Sequence, residues 1–314
     1  MKNINNNELK DFYIPYRKTL NLPKNVTFGF EIEFKMNGFN DLYKSNFKNE
    51  NNAALTYLKE KGYDYTYKVV SEINNHIELV SPVLTDKRKT WKELNDILSF
   101  IKNNRGYYSG LCGAHIHVGK NILNPNSDSW LNFFRIWYVF ENHITVFTNG
   151  ENYKLRKNGK FKARSVNAIC EEIIREYEKN KYINFSLLTN DKRNSINFPY
   201  KDLYCTSEEI LKSVKHIKEN DKCKTIEFRK PNGTLNNIIW QNNTNFFTKL
   251  MLACKDKKID TEKLKYLCDN KNKATEYDLC DLIFNNEFDK KCFLRQYYKD
   301  FNKTQTSRST PFWR

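Results

Sequence analysis

Proline and glycine are scarce, with 7 and 10 among 314 residues, and no Gly/Ser linker, internal repeat or long low-complexity tract divides the chain. Cysteine occurs 8 times, yet Cys112, Cys170, Cys205, Cys223, Cys254, Cys268, Cys280 and Cys292 never form a C-x-x-C pair. That spacing excludes a zinc ribbon and a thioredoxin motif, and it predicts free thiols rather than a disulfide framework. No apolar run approaches the roughly 18 residues needed to cross a bilayer. The N-terminal stretch 1–18 lacks the basic-then-apolar pattern of a secretory signal, so the cytoplasm is the expected location.

Acidic residues are also in the minority, 37 against 53 basic ones, which leaves a net charge of +16. The lysines are spread almost everywhere and accompany heavy use of Asn, Ile, Tyr and Phe, the composition that an AT-rich coding sequence produces. Short clusters, Lys87 to Lys89 and Lys154 to Arg164, could attract a polyanion, a nucleotide or an acidic substrate. No recognised nucleic-acid-binding motif accompanies them, so nucleic acid is not the expected partner. What the chain has in quantity is aromatic surface. With 22 Phe, 19 Tyr and 5 Trp it can bury a large core and offset the entropy of ordering the chain.

Alternating patterns predict strands over 27–34, 65–70, 76–81, 114–118, 195–198 and 225–229. Helical periodicity predicts helices over 90–103, 127–147, 169–180, 207–219 and 237–255. Beyond about residue 255 the text becomes Lys/Asp/Glu-rich with regularly spaced leucines and aromatics, which predicts a helical tail packed on the main body. The expected division is therefore a main domain over 1–255 and a C-terminal extension over 256–314. Strands interspersed with helices, and no βαβ rhythm, predict an α+β architecture on an antiparallel sheet.

Four of the strands carry polar residues at alternate positions. In Gly29-Phe30-Glu31-Ile32-Glu33-Phe34, Glu31 and Glu33 share one face while Phe30, Ile32 and Phe34 share the other. His76 and Glu78 repeat the pattern before Pro82 stops the strand. In Cys112-Gly113-Ala114-His115-Ile116-His117-Val118-Gly119, two of the 5 histidines face the same way. Glu227 and Arg229 do so in Thr225-Ile226-Glu227-Phe228-Arg229. Each stretch taken alone reads equally as an amphipathic strand with a solvated polar face. The glycines around the His-x-His stretch do not make a phosphate-binding loop, because Gly113 and Gly119 enclose one residue too many and Asn121 follows Lys120 where Ser or Thr is needed. If the four strands are neighbours, however, Glu31, Glu33, Glu78, Glu227, His115, His117 and Arg229 form one cluster over an apolar layer. Such a density of buried acid calls for divalent cations, and its oxygen-rich donors suit Mg²⁺ or Mn²⁺ better than zinc.

The ordered set GFEIEF, HIELVSP, CGAHIHVG, SINF and TIEFRKPNGTLN resembles the amidoligases, carboxylate–amine ligases with a catalytic domain similar to those of glutamine synthetase and glutamate–cysteine ligase. The resemblance covers about residues 27–250 and leaves out the C-terminal tail. It implies a curved antiparallel sheet, helices on its convex side, and a concave face holding ATP and Mg²⁺ or Mn²⁺. It implies Glu31, Glu33, Glu78, Glu227 and His117 as metal ligands, with His115 and Arg164 on phosphate and Arg229 stabilising the transferred phosphoryl group. His117 and Glu33 join Arg229 in the catalytic set, Asn197 faces the substrate, and Arg156 shares the Arg-bearing segment with Arg164. The implied reaction joins a small-molecule or peptide carboxylate to an amine through an acyl phosphate, which needs no protein nucleophile.

Three other readings use the same residues. His115 and His117 with Glu78 or Glu227 could hold zinc in a hydrolase. The positive charge could serve nucleic-acid binding, with the acids merely structural. A ligase-like fold could also act as a binding or assembly module.

Overall fold

The computed structural model describes residues 12–36, 50–63, 67–72, 76–109, 112–123, 126–149, 163–181, 193–197, 225–255 and 259–298, with Leu9, Ile183 and Leu187. The expected helix over 207–219 and Arg156 lie outside these residues.

Seven strands make a curved, unclosed antiparallel sheet: β1 (Phe28–Met36), β2 (Lys68–Glu72), β3 (His76–Val80), β4 (Gly106–Tyr107), β5 (Ala114–Gly119), β6 (Ile196–Asn197) and β7 (Thr225–Phe228). Their order is β2-β3-β1-β5-β7-β6, with the short β4 pairing separately with β1. The α+β architecture on an antiparallel sheet is thus as the sequence predicts. β1 alternates without a break between buried and half-buried positions, and Phe28, Phe30, Ile32, Phe34 and Met36 all point into the core. A one-residue slip would turn every one of these side chains to the polar face, so the register is strongly specified.

Among the described residues, eight helices accompany the sheet: α1 (Glu50–Glu60), α2 (Arg88–Asn103), α3 (Ser127–Thr148), α4 (Asn167–Asn180), α5 (Asn237–Lys255), α6 (Thr261–Asp269), α7 (Glu276–Ile283) and α8 (Glu287–Tyr297). Three of them cover the apolar side of the sheet through aromatic contacts. Trp91 of α2 stacks on Phe28 at 5.5 Å, Trp240 of α5 meets Phe30 edge-on at 5.3 Å, and Phe247 of α5 stacks on Phe228 at 4.2 Å. Trp137 of α3 packs against Phe228 as well, 5.7 Å between ring centres. Burying such side chains contributes roughly 1.5–3 kcal/mol each. With one face sealed by helices, the other is left for polar residues.

The C-terminal helices join the same core. Leu264, Leu279 and Phe293 are fully buried in one cluster with Phe30 and Trp137, and Phe293 stacks on Phe147 at 4.6 Å. Asp289 of α8 accepts from Arg17 at 2.7 Å and from Asn245 of α5 at 2.9 Å, tying the N-terminal segment to the tail. Their starts are locally encoded: Thr275 and Asp278 form a reciprocal capping box on α7, and Asn286 accepts from Asp289 N at the start of α8.

Two elements, α1 and β4, have no counterpart in the sequence reading, and the strand expected over 65–70 lies instead at Lys68–Glu72. β4 is too short to carry a period-2 signal, and β2 is set by its pairing with β3 rather than by its own pattern. Among the described cysteines, Cys112, Cys170, Cys254, Cys268, Cys280 and Cys292 are free thiols. No helix among the described residues is long and apolar enough to cross a membrane.

Candidate metal and phosphate centre on the open face

Sheet register brings the alternating polar positions together. Antiparallel partners point to the same side, and Glu33 lies opposite Glu78, Glu31 opposite His115, and Glu227 opposite both His117 and Asn197. Residues from β3, β1, β5, β7 and β6 therefore line one face in a single band.

Glu31 is its centre. The two carboxylate oxygens take different imidazoles, Oε2 facing His115 Nδ1 at 2.8 Å and Oε1 facing His117 Nε2 at 2.9 Å. An ionised carboxylate can only accept, so both facing nitrogens carry hydrogen. Burial alone would raise the Glu31 carboxyl, but hydrogen bonds from His115 and His117, and their charge, hold it well below the usual carboxylate range. Burial would likewise lower His117, and the hydrogen bond to Glu31 with the charges of Glu31 and Glu227 raises it instead. Its Nδ1 lies 3.1 Å from Thr225 Oγ1.

Glu33 is oriented by main chain. The Gly113 N–H donates to Oε2 at 2.7 Å, and His115 Nε2 stands 3.6 Å from Oε1. Gly113 has to be glycine here, because a Cβ at this position would collide with the His115 ring. The absent side chain at Gly113 is thus the space that the imidazole fills.

Glu227 is nearly fully buried and doubly held. Asn197 Nδ2 donates to Oε2 at 2.7 Å, and Arg229 Nη1 pairs with Oε1. Asn197 Oδ1 is also buried and has no hydrogen-bond partner. An orphaned buried oxygen of this kind costs about 1–3 kcal/mol unless something supplies a donor or positive charge. Glu31, His117 and Glu227 each offer one ligand atom, and those atoms lie within 4.8 Å of one another. Two carboxylates, one imidazole and an unpartnered amide oxygen beside them fit a hard divalent cation.

One predicted residue stands apart from this cluster. Arg164 continues the sheet laterally: it bridges Asn194 through backbone, its carbonyl accepts from Ser195 N at 2.8 Å, and its side chain is exposed.

The sequence reading missed a second buried cluster on the other side of β6 and β7. Glu141 of α3 is buried with Lys230 Nζ at 3.2 Å and Ser195 Oγ at 2.6 Å, and it also accepts from Ser165 Oγ. Burial would raise this carboxyl, but the Lys230 charge and hydrogen bonds from Ser165, Ser195 and Lys230 lower it. The available signal was an acid that directly follows the apolar run Ile136–Phe140 of α3.

In sequence, residues 55–251 match the family described as "Putative amidoligase enzyme". The match contains Glu78, His115, His117, Arg164, Asn197, Glu227 and Arg229, while Glu31 and Glu33 precede it and reach the cluster through β1 pairing. A solved structure described as "Apo GmaS without ligand" is similar over 92% of this chain and 68% of that one, with 11% identity and a TM-score of 0.43. No curated protein matches the chain. With a family match over well more than half its length, the chain belongs to the amidoligase family, and the open face of its sheet is the candidate centre of a ligase-type enzyme.

Proposed function

We propose that the chain is an ATP-dependent carboxylate–amine ligase. The observation that carries the reading is the convergence of Glu31, His117 and Glu227 beside the unpartnered Asn197 Oδ1 on one sheet face. Glu31, Glu227 and His117 would hold a Mg²⁺ or Mn²⁺ ion, with Glu33 and Glu78 along the same band available for a further one. Bound there, the cation supplies positive charge that offsets the phosphate oxygens of ATP.

In the reaction, an oxygen of the substrate carboxylate attacks the γ-phosphorus, the bond to the β,γ-bridging oxygen breaks, and ADP leaves. The amine nitrogen then attacks the acyl carbon, inorganic phosphate departs, and the nitrogen loses a proton. Arg229 presents a guanidinium that binds transferred phosphoryl oxygens in planar, bidentate fashion. His115 and the exposed Arg164 serve phosphate, and Asn197 Oδ1 accepts from substrate. Glu33, oriented by the Gly113 N–H, stands beside His115 and faces the same band. No nucleophilic side chain is required, since electrostatic positioning dominates this chemistry.

The fold assigned to the reading is glutamine synthetase-like, with residues 1–255 as catalytic domain and 256–314 as an extension. Its substrates are a small-molecule or peptide carboxylate and an amine, and a cytoplasmic setting supplies the nucleotide. A zinc hydrolase is less well supported, because the convergent triad holds one imidazole beside two carboxylates.

The test mixes full-length protein, Mg-ATP and pools of amino acids and peptides, and follows ADP. Acid- and amine-dependent ADP release is expected. Glu227→Gln and Glu33→Gln should each lower it at least 100-fold while leaving circular dichroism near wild type, since the amide oxygen still accepts from Arg229 or from the Gly113 N–H and the anionic ligand alone is lost. Failure of the wild type to bind ATP with Mg²⁺ would sink the reading.

A further inference from the structure

The three segments that carry Arg164, Asn197 and Arg229 come from distant parts of the chain, and each reaches the buried carboxylate of Glu141. Residues 164–167 do so through Ser165 Oγ and through Val166 N, which donates to Oε1 at 3.3 Å. Residues 193–197 do so through Ser195 Oγ at 2.6 Å, and the exit of β7 through Lys230 Nζ at 3.2 Å. The segments are also laced to one another. Ser195 N donates to Arg164 O at 2.8 Å, and Arg229 N donates to Ser195 O at 3.0 Å. Among the described residues β6 comprises Ile196–Asn197, which pair with Phe228 and Glu227 of β7.

We infer that Glu141 is a positioning residue: from α3, behind the sheet, it pins these three segments so that Asn197 and Arg229 keep a common register on the open face, with the Arg164 segment fixed at the lateral edge beside them. The functional meaning of that register rests on the ligase reading, whereas the pin itself does not. Neither Glu141 nor Lys230 touches the metal-ligand triad, so their effect passes through the backbone of β6 and β7.

The test separates positioning from mere folding. Glu141→Gln leaves a buried ammonium beside a neutral amide and is expected to unfold more easily. The double variant Glu141→Gln/Lys230→Met removes both charges at nearly constant volume, so its thermal midpoint should return to within a few degrees of wild type. Backbone amides at 164–167, 193–197 and 229–230 should nonetheless exchange at least tenfold faster, as one group. Mn²⁺ affinity, read by electron paramagnetic resonance, should stay within twofold, while the affinity for a non-hydrolysable ATP analogue with Mn²⁺ should fall at least tenfold. Wild-type exchange in those amides, acceleration confined to 229–230, or unchanged nucleotide affinity would overturn the inference. If the wild type itself binds no nucleotide, the ligase reading falls and the exchange pattern alone decides the pin. Should the double variant not fold, Ser195→Ala removes one hydroxyl and must accelerate 164 and 229 together, or the pin is absent.

Discussion

At the scale of single residues, the buried carboxylates Glu31, Glu227 and Glu141 are each held by named partners. Glu141 lies below the ordinary carboxylate range because Lys230, Ser165 and Ser195 outweigh its burial, and burial together with the Glu141 charge raises the Cys170 thiol. A depressed carboxyl contributes stability that is present above its unfolded value of about 4.3 and is lost as pH falls through its folded value. Urea midpoints of wild type and Glu141→Gln should therefore differ at pH 7 and converge as pH drops below about 4. A gap that stays constant to pH 3 would show that the pair contributes nothing through charge. Gly113 makes a steric prediction. Gly113→Ala should displace the His115 ring and weaken Mn²⁺ binding, read by calorimetry, with a stability loss of about 1–3 kcal/mol from overpacking.

Elements are held to each other mainly by aromatic rings on one side of the sheet. Phe228 of β7 sits between Phe247 and Trp137, so the strand that carries Glu227 is clamped by two helices. Phe247→Ala should cost roughly 3–5 kcal/mol, read as a shifted urea midpoint, and should raise exchange in β7 before α6 to α8. Much of this scale was legible in sequence. The helices over 90–103, 127–147 and 237–255 announce themselves by period, and β1 by strict alternation. What was not legible were elements whose existence depends on a neighbour. β4 is two residues pairing with the end of β1, whereas β6 falls within the strand expected over 195–198. In α5 the period shows a buried helix, but not that Asn242, Asn243 and Asn245 would be buried against Gln296 and Asp289. Those amides find partners only when α8 docks, a contact of long sequence separation.

For the whole molecule, the charge of +16 surrounds a site crowded with acid. A basic field of that size draws anions toward the surface and is screened within roughly 8–10 Å at 0.1–0.15 M salt. Under the ligase reading, the apparent KM for ATP should rise severalfold between low salt and 0.3 M while kcat changes little. An unchanged KM would reduce the excess lysine to composition alone.

The amino-acid sequence by itself determined which side chains share a face, because the period-2 geometry of a strand is local and needs no partner. It separated Glu31 and Glu33 from Phe30 and Ile32, and it set His115 beside His117. Only the tertiary structure decided which strands are neighbours, since hydrogen-bonded register couples residues far apart in the chain. That register brought Glu31, His117 and Glu227 within reach of one cation, left Asn197 Oδ1 without a partner, and gathered three separate segments on Glu141.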